Sequence, residues 1–427
     1  MYPELGILAD DLTGATDSGL QFAKCGRRTH VSLSWTGSSA CDVLVFDSDS
    51  RARTPAEARE RVLQATRKLR AAGTRRFYKK IDSTARGNLG IEIEAMLEAL
   101  ELAAALICPA FPDLGRTVRQ GDVHVQGIPL DRSEFARDPL WPATTSSLAE
   151  ILRRQTFLPI ASLPLNDVRR GPAHLRVRIE ALLAEGARLI VGDAESPNDL
   201  RGLVEALRQT DRAILPVGSA GLAEWLGGSL ASPARPPREI ALSREPILLV
   251  AGTVSQTGLV QLGRLVESGV KLVRLPPDEA LGNPESTAHT TAIELVREFR
   301  DGGCVALALV NPTSTGADPR LAVAHRGLAP GLATERLVGA LGRTTVLALA
   351  RVCPAAMILT GGDTARAVCA ALGANGLDVH REAAPGVPIC LLEGGRWDGL
   401  PVVTKAGGFG AADTLTRVVK QLEEMRR

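Results

Sequence analysis

Short apolar runs recur along the whole chain, each followed by a stretch of helical period, and this rhythm limits the possible folds more than any other feature. In the first half the runs are LGILA (5–9), DVLVF (42–46), RFYKKI (76–81), AAALIC (103–108), RLIVG (188–192) and AILPV (213–217). Brief strand-like runs alternating with helices describe an α/β fold, a mainly parallel sheet with helices on its faces. Two of the helices are read at PAEARERVLQATRKLRAA (55–72), with proline in its first turn, and NLGIEIEAMLEALELA (88–103). The rhythm breaks at GGSLASPARPPREIALSREP (227–246), where prolines, small residues and arginines replace any apolar period. It restarts with PILLVAG (246–252), KLVRL (271–275), CVALALV (304–310), AAMILTGG (355–362), PICLLEG (388–394) and LPVVTKAGG (400–408). A chain of 427 residues exceeds one ordinary core. The expectation is two domains, 1–232 and 246–427, joined by a linker at 233–245.

Composition excludes several classes. Fifty basic residues against 48 acidic leave a net charge of +2, which gives no global field for nucleic acid or an acidic membrane. No apolar stretch approaches the ~20 residues of a bilayer span. The start, MYPELGILADD, enters a strand directly without the features of a secretion signal, so the cytoplasm is expected. Seven scattered cysteines without a CxxC pair, and six histidines without HExxH, read as buried thiols rather than a structural zinc site. The segment from Pro109 to Pro142 lacks periodicity and is rich in glycine and proline; it reads as a long irregular loop over an active site.

Polar groups gather where strands end, which is where open α/β sheets bind ligands. After the first run come Asp10, Asp11, Thr13 and Asp17: Asp11 is placed to accept a hydroxyl proton, and Asp10 and Asp17 to hold hydroxyls or hydrated magnesium. Capping the following helix fits Asp17 as well. After the third run, Lys79-Lys80-Ile81-Asp82-Ser83-Thr84-Ala85-Arg86-Gly87-Asn88 offers cations beside a helix start, a setting for a carboxylate. With only seven lysines in the chain, an adjacent pair is unlike surface filler, although one of the two is expected in solvent or an ion pair. Arg116 offers a fork for a carboxylate or phosphate, and His124 reads as a packed or loop-bonding residue rather than an acid or base. The second half repeats glycine and hydroxyl turns: Gly252-Thr253-Val254-Ser255, Gly361-Gly362-Asp363-Thr364 and Lys405-Ala406-Gly407-Gly408. Three such turns suit phosphate oxygens approached by backbone amides, hence a nucleotide. Neither GxxxxGK[ST] nor an early GxGxxG is present, and a DxDxT spacing is not met.

Taken in order, ILADDLTGATDSG (7–19), YKKIDSTARGNLG (78–90), CPAFPDLGRTVRQGDVHVQGIPL with SEFARDP (108–139), PVGSAGLAEWL (216–226), TGGDTA (360–365) and KAGGFG (405–410) resemble the four-carbon acid sugar kinases over nearly the whole chain. The resemblance implies two α/β domains with the active site in the cleft between them. The first would bind a tetronate-type acid, the second ATP with Mg²⁺, and the γ-phosphoryl would pass to the acid's terminal hydroxyl. It carries the acid side onto Asp10, Asp11, Lys80, Asp82, Ser83, Arg86, Asn88 and Arg116, with Asp11 or Asp82 as proton acceptor. The nucleotide side falls on Ser255, Gly361, Gly362, Asp363, Thr364 and Gly407; the metal ligands stay unassigned. Ala85 stands where the family usually has a larger apolar residue, and GDVHVQG is one residue longer than the common GxHxV. The KKIDSTARGN form is closer to the D-threonate and D-erythronate kinases than to the 3-oxo-tetronate kinases, the alternative within the family. A sensor binding both ligands without turnover is the alternative outside it. A homodimer is left open, and neither nucleic acid nor membrane is expected as a partner.

Overall fold

The computed structural model describes residues 2–34, 40–138, 141–228, 230, 239–253, 255–300, 303–310, 312 and 328–426. Residues 233–238 of the expected linker, Pro139 of the SEFARDP segment and Val254 lie outside the described residues. The chain forms two compact units, Met1–Thr29 with Gly37–Arg235, and His30–Thr36 with Pro236–Arg427. A short early segment thus belongs to the second unit.

The strands of the first unit are β1 (Leu5–Ala9), the first residue of β2 (Thr29–Ser32), β3 (Val43–Asp47), β4 (Arg76–Lys80), β5 (Ala104–Cys108), β6 (Arg116–Arg119), β7 (Asp122–Val125), β8 (Ile128–Pro129), β9 (Ile160–Leu163), β10 (Leu189–Gly192) and β11 (Ile214–Gly218). Its main sheet runs β3-β1-β4-β11-β5-β10-β9, every pair parallel. Strands such as LGILA and AALIC are buried at every position, as a sheet covered on both faces requires. The helix Pro55–Ala71 starts on a capping box, Thr54 with Glu57, and buries Ala58, Val62, Ala65 and Leu69, one stripe of a helix. Leu89–Leu100 ends where Glu101 turns left-handed at φ 58°.

The segment read as an irregular loop is largely structured. It holds the antiparallel sheet β6-β7-β8 and short 3₁₀ turns. Asp193, after β10, anchors that sheet by accepting hydrogen bonds from the amides of Gln120 and Gly121 at 2.8 and 2.9 Å.

The second unit holds β12 (Ile247–Ala251), β13 (Lys271–Arg274), β14 (Cys304–Ala308), β15 (Ala356–Thr360), β16 (Gly376–Ala384), β17 (Val387–Glu393) and β18 (Pro401–Lys405). Their order is β13-β14-β12-β15-β18-β17-β16-β2, parallel from β13 to β18, with β17 antiparallel to both β18 and β16. One core cluster joins Leu249, Ala306, Ile358 and Val403 of the sheet to Leu262 and Leu265 of the helix Gln256–Glu267 and to Leu415, Val418 and Leu422 of the helix Thr414–Glu424. Among the described residues no helix is long and apolar enough to cross a membrane.

Candidate active site

In the first unit β1 lies between β3 and β4, so the chain leaves β1 to one side and later returns to the other. The loops at the carboxyl ends of these strands therefore part at β1, the usual position for a ligand in such sheets. Asp10 and Asp11 leave β1, Ser48 to Arg51 leave β3, and Ile81 to Arg86 leave β4.

Arg51, which the sequence reading did not single out, ties the first two loops together. Its Nε and Nη2 donate to Asp10 at 2.7 and 2.9 Å, and Nη2 also donates to Asp11 Oδ1 at 2.7 Å. Burial alone would push the Asp10 carboxyl up, but Arg51, with Lys79 and Lys80 behind it, holds it below the ordinary value. Both Asp10 oxygens are taken by this fork. Asp11, not Asp17, is the helix cap: it accepts from the Gly14 amide at 3.0 Å and from the Thr13 hydroxyl at 2.7 Å. Asp17 sits buried within that helix.

The two lysines divide as a strand pair should. Lys79, fully buried, pairs with the equally buried Glu92 at 2.7 Å. Lys80 instead directs its ammonium towards the start of the first helix, where a methyl on Gly14 would lie 2.8 Å from Nζ. The recorded bond of that ammonium goes to the Ile81 carbonyl at 2.8 Å, which uses one of its three protons. Close in sequence, the buried Ser83 hydroxyl has no hydrogen-bond partner among the described residues.

Asp82 accepts from Thr84 at 2.5 Å and from Arg86 Nε at 2.6 Å. Burial opposes its ionisation, yet Arg86 and Arg51 hold it well below the usual carboxylate range. Arg86 also donates to Asp138 at 3.1 Å. Arg86 and Arg116 lie over the Phe135 ring at 5.2 and 5.1 Å from its centre. Burial, with Arg86 nearby, pulls Arg116 below its ordinary value although Asp82 and Glu134 oppose this. An anion placed there would relieve that cost. Asn88 uses both amide protons on the Ser50 and Arg53 carbonyls, each at 3.0 Å, and so fixes the loop carrying Arg51. His124 bonds the Asp122 carbonyl of its own strand at 3.1 Å, in keeping with a packed residue.

In the second unit the three glycine turns leave neighbouring strands, β12, β15 and β18, at their carboxyl ends. Ser255 joins two of them: its hydroxyl donates to the Gly407 carbonyl at 2.9 Å and accepts from the Gly258 amide at 3.1 Å. Gly361, at φ 101°, donates to the Lys405 carbonyl at 2.8 Å and opens the helix of Gly362, Asp363 and Thr364. A methyl on Gly407 would come within 2.9 Å of Thr253 Oγ1, and one on Gly252 within 2.2 Å of Thr364 Oγ1. Such side-chain-free turns beside two helix starts are the cradle that phosphate oxygens need. Asp363 is exposed in the first turn.

Gln261 escaped the sequence reading, and Lys405 was read only as part of a glycine turn. Gln261 holds the KAGGFG loop by donating to the carbonyls of Phe409 and Ala411 at 2.9 and 2.8 Å. Lys405 is fully buried; its ammonium donates to the Ala406 carbonyl at 2.7 Å, and burial lowers its pKa to about 7. It pairs in register with Thr360, whose buried hydroxyl has no partner among the described residues. Cross-strand partners share a face, so a cation and an unsatisfied hydroxyl stand together where these strands end.

Comparison with known proteins bears on the whole chain. A model of a sugar-binding N-terminal domain matches residues 5–226, and one of a nucleotide-binding C-terminal domain matches residues 248–415. The D-threonate kinase of Salmonella typhimurium is 35% identical over 98% of each chain. The 3-oxo-tetronate kinase of Pseudomonas savastanoi pv. phaseolicola is 32% identical over 98% of this chain and 97% of its own. A crystal structure of a Salmonella typhimurium protein described as a tRNA synthase covers 97% of this chain and 98% of its own, with TM-score 0.77 and 26% identity. With two domain models in the expected order and relatives matched end to end, the chain belongs to the four-carbon acid sugar kinase family.

Proposed function

We propose that the protein transfers the γ-phosphoryl of ATP to the terminal hydroxyl of D-threonate or its close relative D-erythronate, the acid held by the first unit and ATP by the second. The observation that carries the acid side is the buried Lys80 ammonium, with protons to spare, on the same strand-end segment as the buried, unsatisfied Ser83 hydroxyl at the switch point of the sheet. Support for D-threonate over a 3-oxo-tetronate comes from the KKIDSTARGN segment and from the D-threonate kinase relative. A net charge of +2 favours small anions over tRNA. Free cysteines throughout, five of them buried, suit the cytoplasm.

On this reading Lys80, Arg86 and Arg116 bind the carboxylate of the acid, and Ser83 donates to one of its oxygens. Asp82, held far down by two arginines, is a poor proton acceptor and keeps Arg86 in place. Asp11 is then the group that orients the attacking hydroxyl and takes its proton, the part a carboxylate plays in other phosphoryl transfers. Asp10 and Asn88 act through Arg51, the first by pairing with it and the second by fixing its loop. Around the triphosphate, the amides at Gly362 and Gly407 and the helix starts at Ser255 and Thr364 supply donors, Gly361 shapes its turn through the bond to the Lys405 carbonyl, and the Lys405 ammonium supplies charge. Magnesium bound with ATP would neutralise charge between the β- and γ-phosphates.

The carboxylate contacts give the test. D-Threitol keeps the hydroxyls of D-threonate but lacks its carboxylate. With charge-assisted bonds worth about 1.5–3 kcal/mol each, losing two of them should lower kcat/KM at least about 100-fold. Equal turnover of the two would remove the acid-binding role from Lys80, Arg86 and Arg116.

A further inference from the structure

Away from the glycine turns, three neighbouring strands of the second unit each bring one side chain to a common point. His30 comes from β2, Asp378 from β16 and Glu393 from β17. The imidazole Nδ1 lies 3.1 Å from Asp378 Oδ1 and 2.8 Å from Glu393 Oε2. The middle strand leaves room for this meeting. Glu393 stands opposite Gly376, and Asp378 follows two residues later on the same face. A methyl on Gly376 would lie 2.4 Å from His30 Cε1 and 2.6 Å from Nε2. The glycine therefore lets the ring lie against β16 and reach carboxylates from two strands. The ring is 6% exposed and held in place, whereas the carboxylates, 50% and 40% exposed, remain open to solvent.

Protons alone satisfy this cluster poorly. A single Nδ1–H can be aimed along only one of the two contacts, and without that proton a nitrogen lone pair faces two anionic oxygens. A divalent cation would satisfy all three donors together. One imidazole nitrogen with two carboxylates suits zinc and its neighbours; tetrahedral bonds of about 2.0–2.2 Å to such an ion set its ligand atoms about 3.3–3.6 Å apart, so the two carboxylates would draw back from the ring by about half an ångström to admit it. Magnesium fits less well, because it prefers oxygen throughout.

We propose that His30, Asp378 and Glu393 form a binding site for a divalent transition-metal ion of the zinc class. The ion fastens residues 30–34, which cross from the first unit's sequence into the second unit, onto the β16–β17 hairpin. The backbone already ties this segment down through the Leu33 amide, which donates to the Asn375 carbonyl at 2.9 Å.

The test uses full-length protein stripped with a chelator and titrated with Co²⁺ as the coloured stand-in for Zn²⁺. Expected are one equivalent bound with visible ligand-field bands, displacement by Zn²⁺, and slower amide exchange at residues 30–34 with Zn²⁺ present. Asp378→Asn and Glu393→Gln, near-isosteric changes at half-buried positions that should leave the fold intact, should each weaken binding at least about tenfold, since even groups that only orient ligands cost 10–100-fold. No stoichiometric uptake would overturn the site and leave only a hydrogen-bonded cluster. Uptake unchanged in the Asp378→Asn/Glu393→Gln double variant would also overturn it and mark an adventitious ion only, for example at the exposed Cys353. Uptake lost in the variants but without slower exchange would overturn the fastening role.

Discussion

At Lys405 a cost in stability would be the counterpart of its proposed contact with the triphosphate. Its folded pKa is about 7, against 10.5 as the ordinary value. Between these values the unfolded chain binds more protons than the folded one, so this lysine makes stability rise as pH increases from about 7 towards 10.5. Lys405→Met should therefore raise Tm near pH 7, remove that rise with pH, and weaken ATP at least about tenfold through the loss of a charged contact. Bound triphosphate should also draw a proton onto the wild-type lysine near pH 8. Calorimetry in buffers of different ionisation enthalpy would show this as proton uptake that Lys405→Met lacks; equal uptake in both proteins would take the lysine away from the phosphates. Asp11→Asn keeps the helix cap and should lower kcat by about 10²–10⁴ while ATP binds normally; near-normal turnover would end its role as acceptor. At this scale the sequence showed which loops hold chemistry more clearly than how the groups pair. Asp11 and Lys80 stood out because motif and strand end coincide. Arg51 did not, because what makes it matter is an ion pair to residues 40 and 41 positions earlier. That one of the two lysines enters an ion pair was among the expectations; its partner Glu92, on the following helix, was not named. Lys79→Met should cost about 3–5 kcal/mol in urea unfolding by leaving Glu92 buried without its partner, and Lys79→Met/Glu92→Leu should cost clearly less.

Elements follow local sequence where a period runs long enough. The helix expected at 55–72 is found at Pro55–Ala71, because the capping box and the buried stripe are both written locally. The segment from Pro109 to Pro142 was misread as irregular because β6 and β7 have four residues each. Four residues carry only two alternations, too few to stand out among glycines and turns. The β16–β17 hairpin was half seen: PICLLEG marked the second strand, but GLDVHREAA has mixed burial and no clean alternation. Turns can be tested at the same scale. Gly361 has φ 101° and ψ 133°, a region that side-chain-bearing residues avoid. Gly361→Ala should cost about 1–3 kcal/mol and raise KM for ATP more than KM for the acid. Equal effects on both would show that the turn does not serve the nucleotide.

Across the whole molecule, the two α/β units could be read from the composition break at 227–246 and the restart of the apolar rhythm. That the segment starting at His30 joins the second unit could not. The short strand Thr29–Ser32 was not among the apolar runs read from the sequence, and its sheet depends on partners more than 300 residues away, such as Asn375 and Asp378. Function at this scale rests on one chain holding both an acid site and a nucleotide site. The most direct measurement is ADP release with Mg²⁺-ATP across D-threonate, L-threonate, D-erythronate, L-erythronate and 3-oxo-tetronates, with the product identified by its phosphorus resonance. The prediction is acid-dependent ADP release with highest kcat/KM for D-threonate or D-erythronate and a phosphomonoester on the terminal carbon. ATP binding without acid-stimulated ADP release on any of these compounds would contradict it.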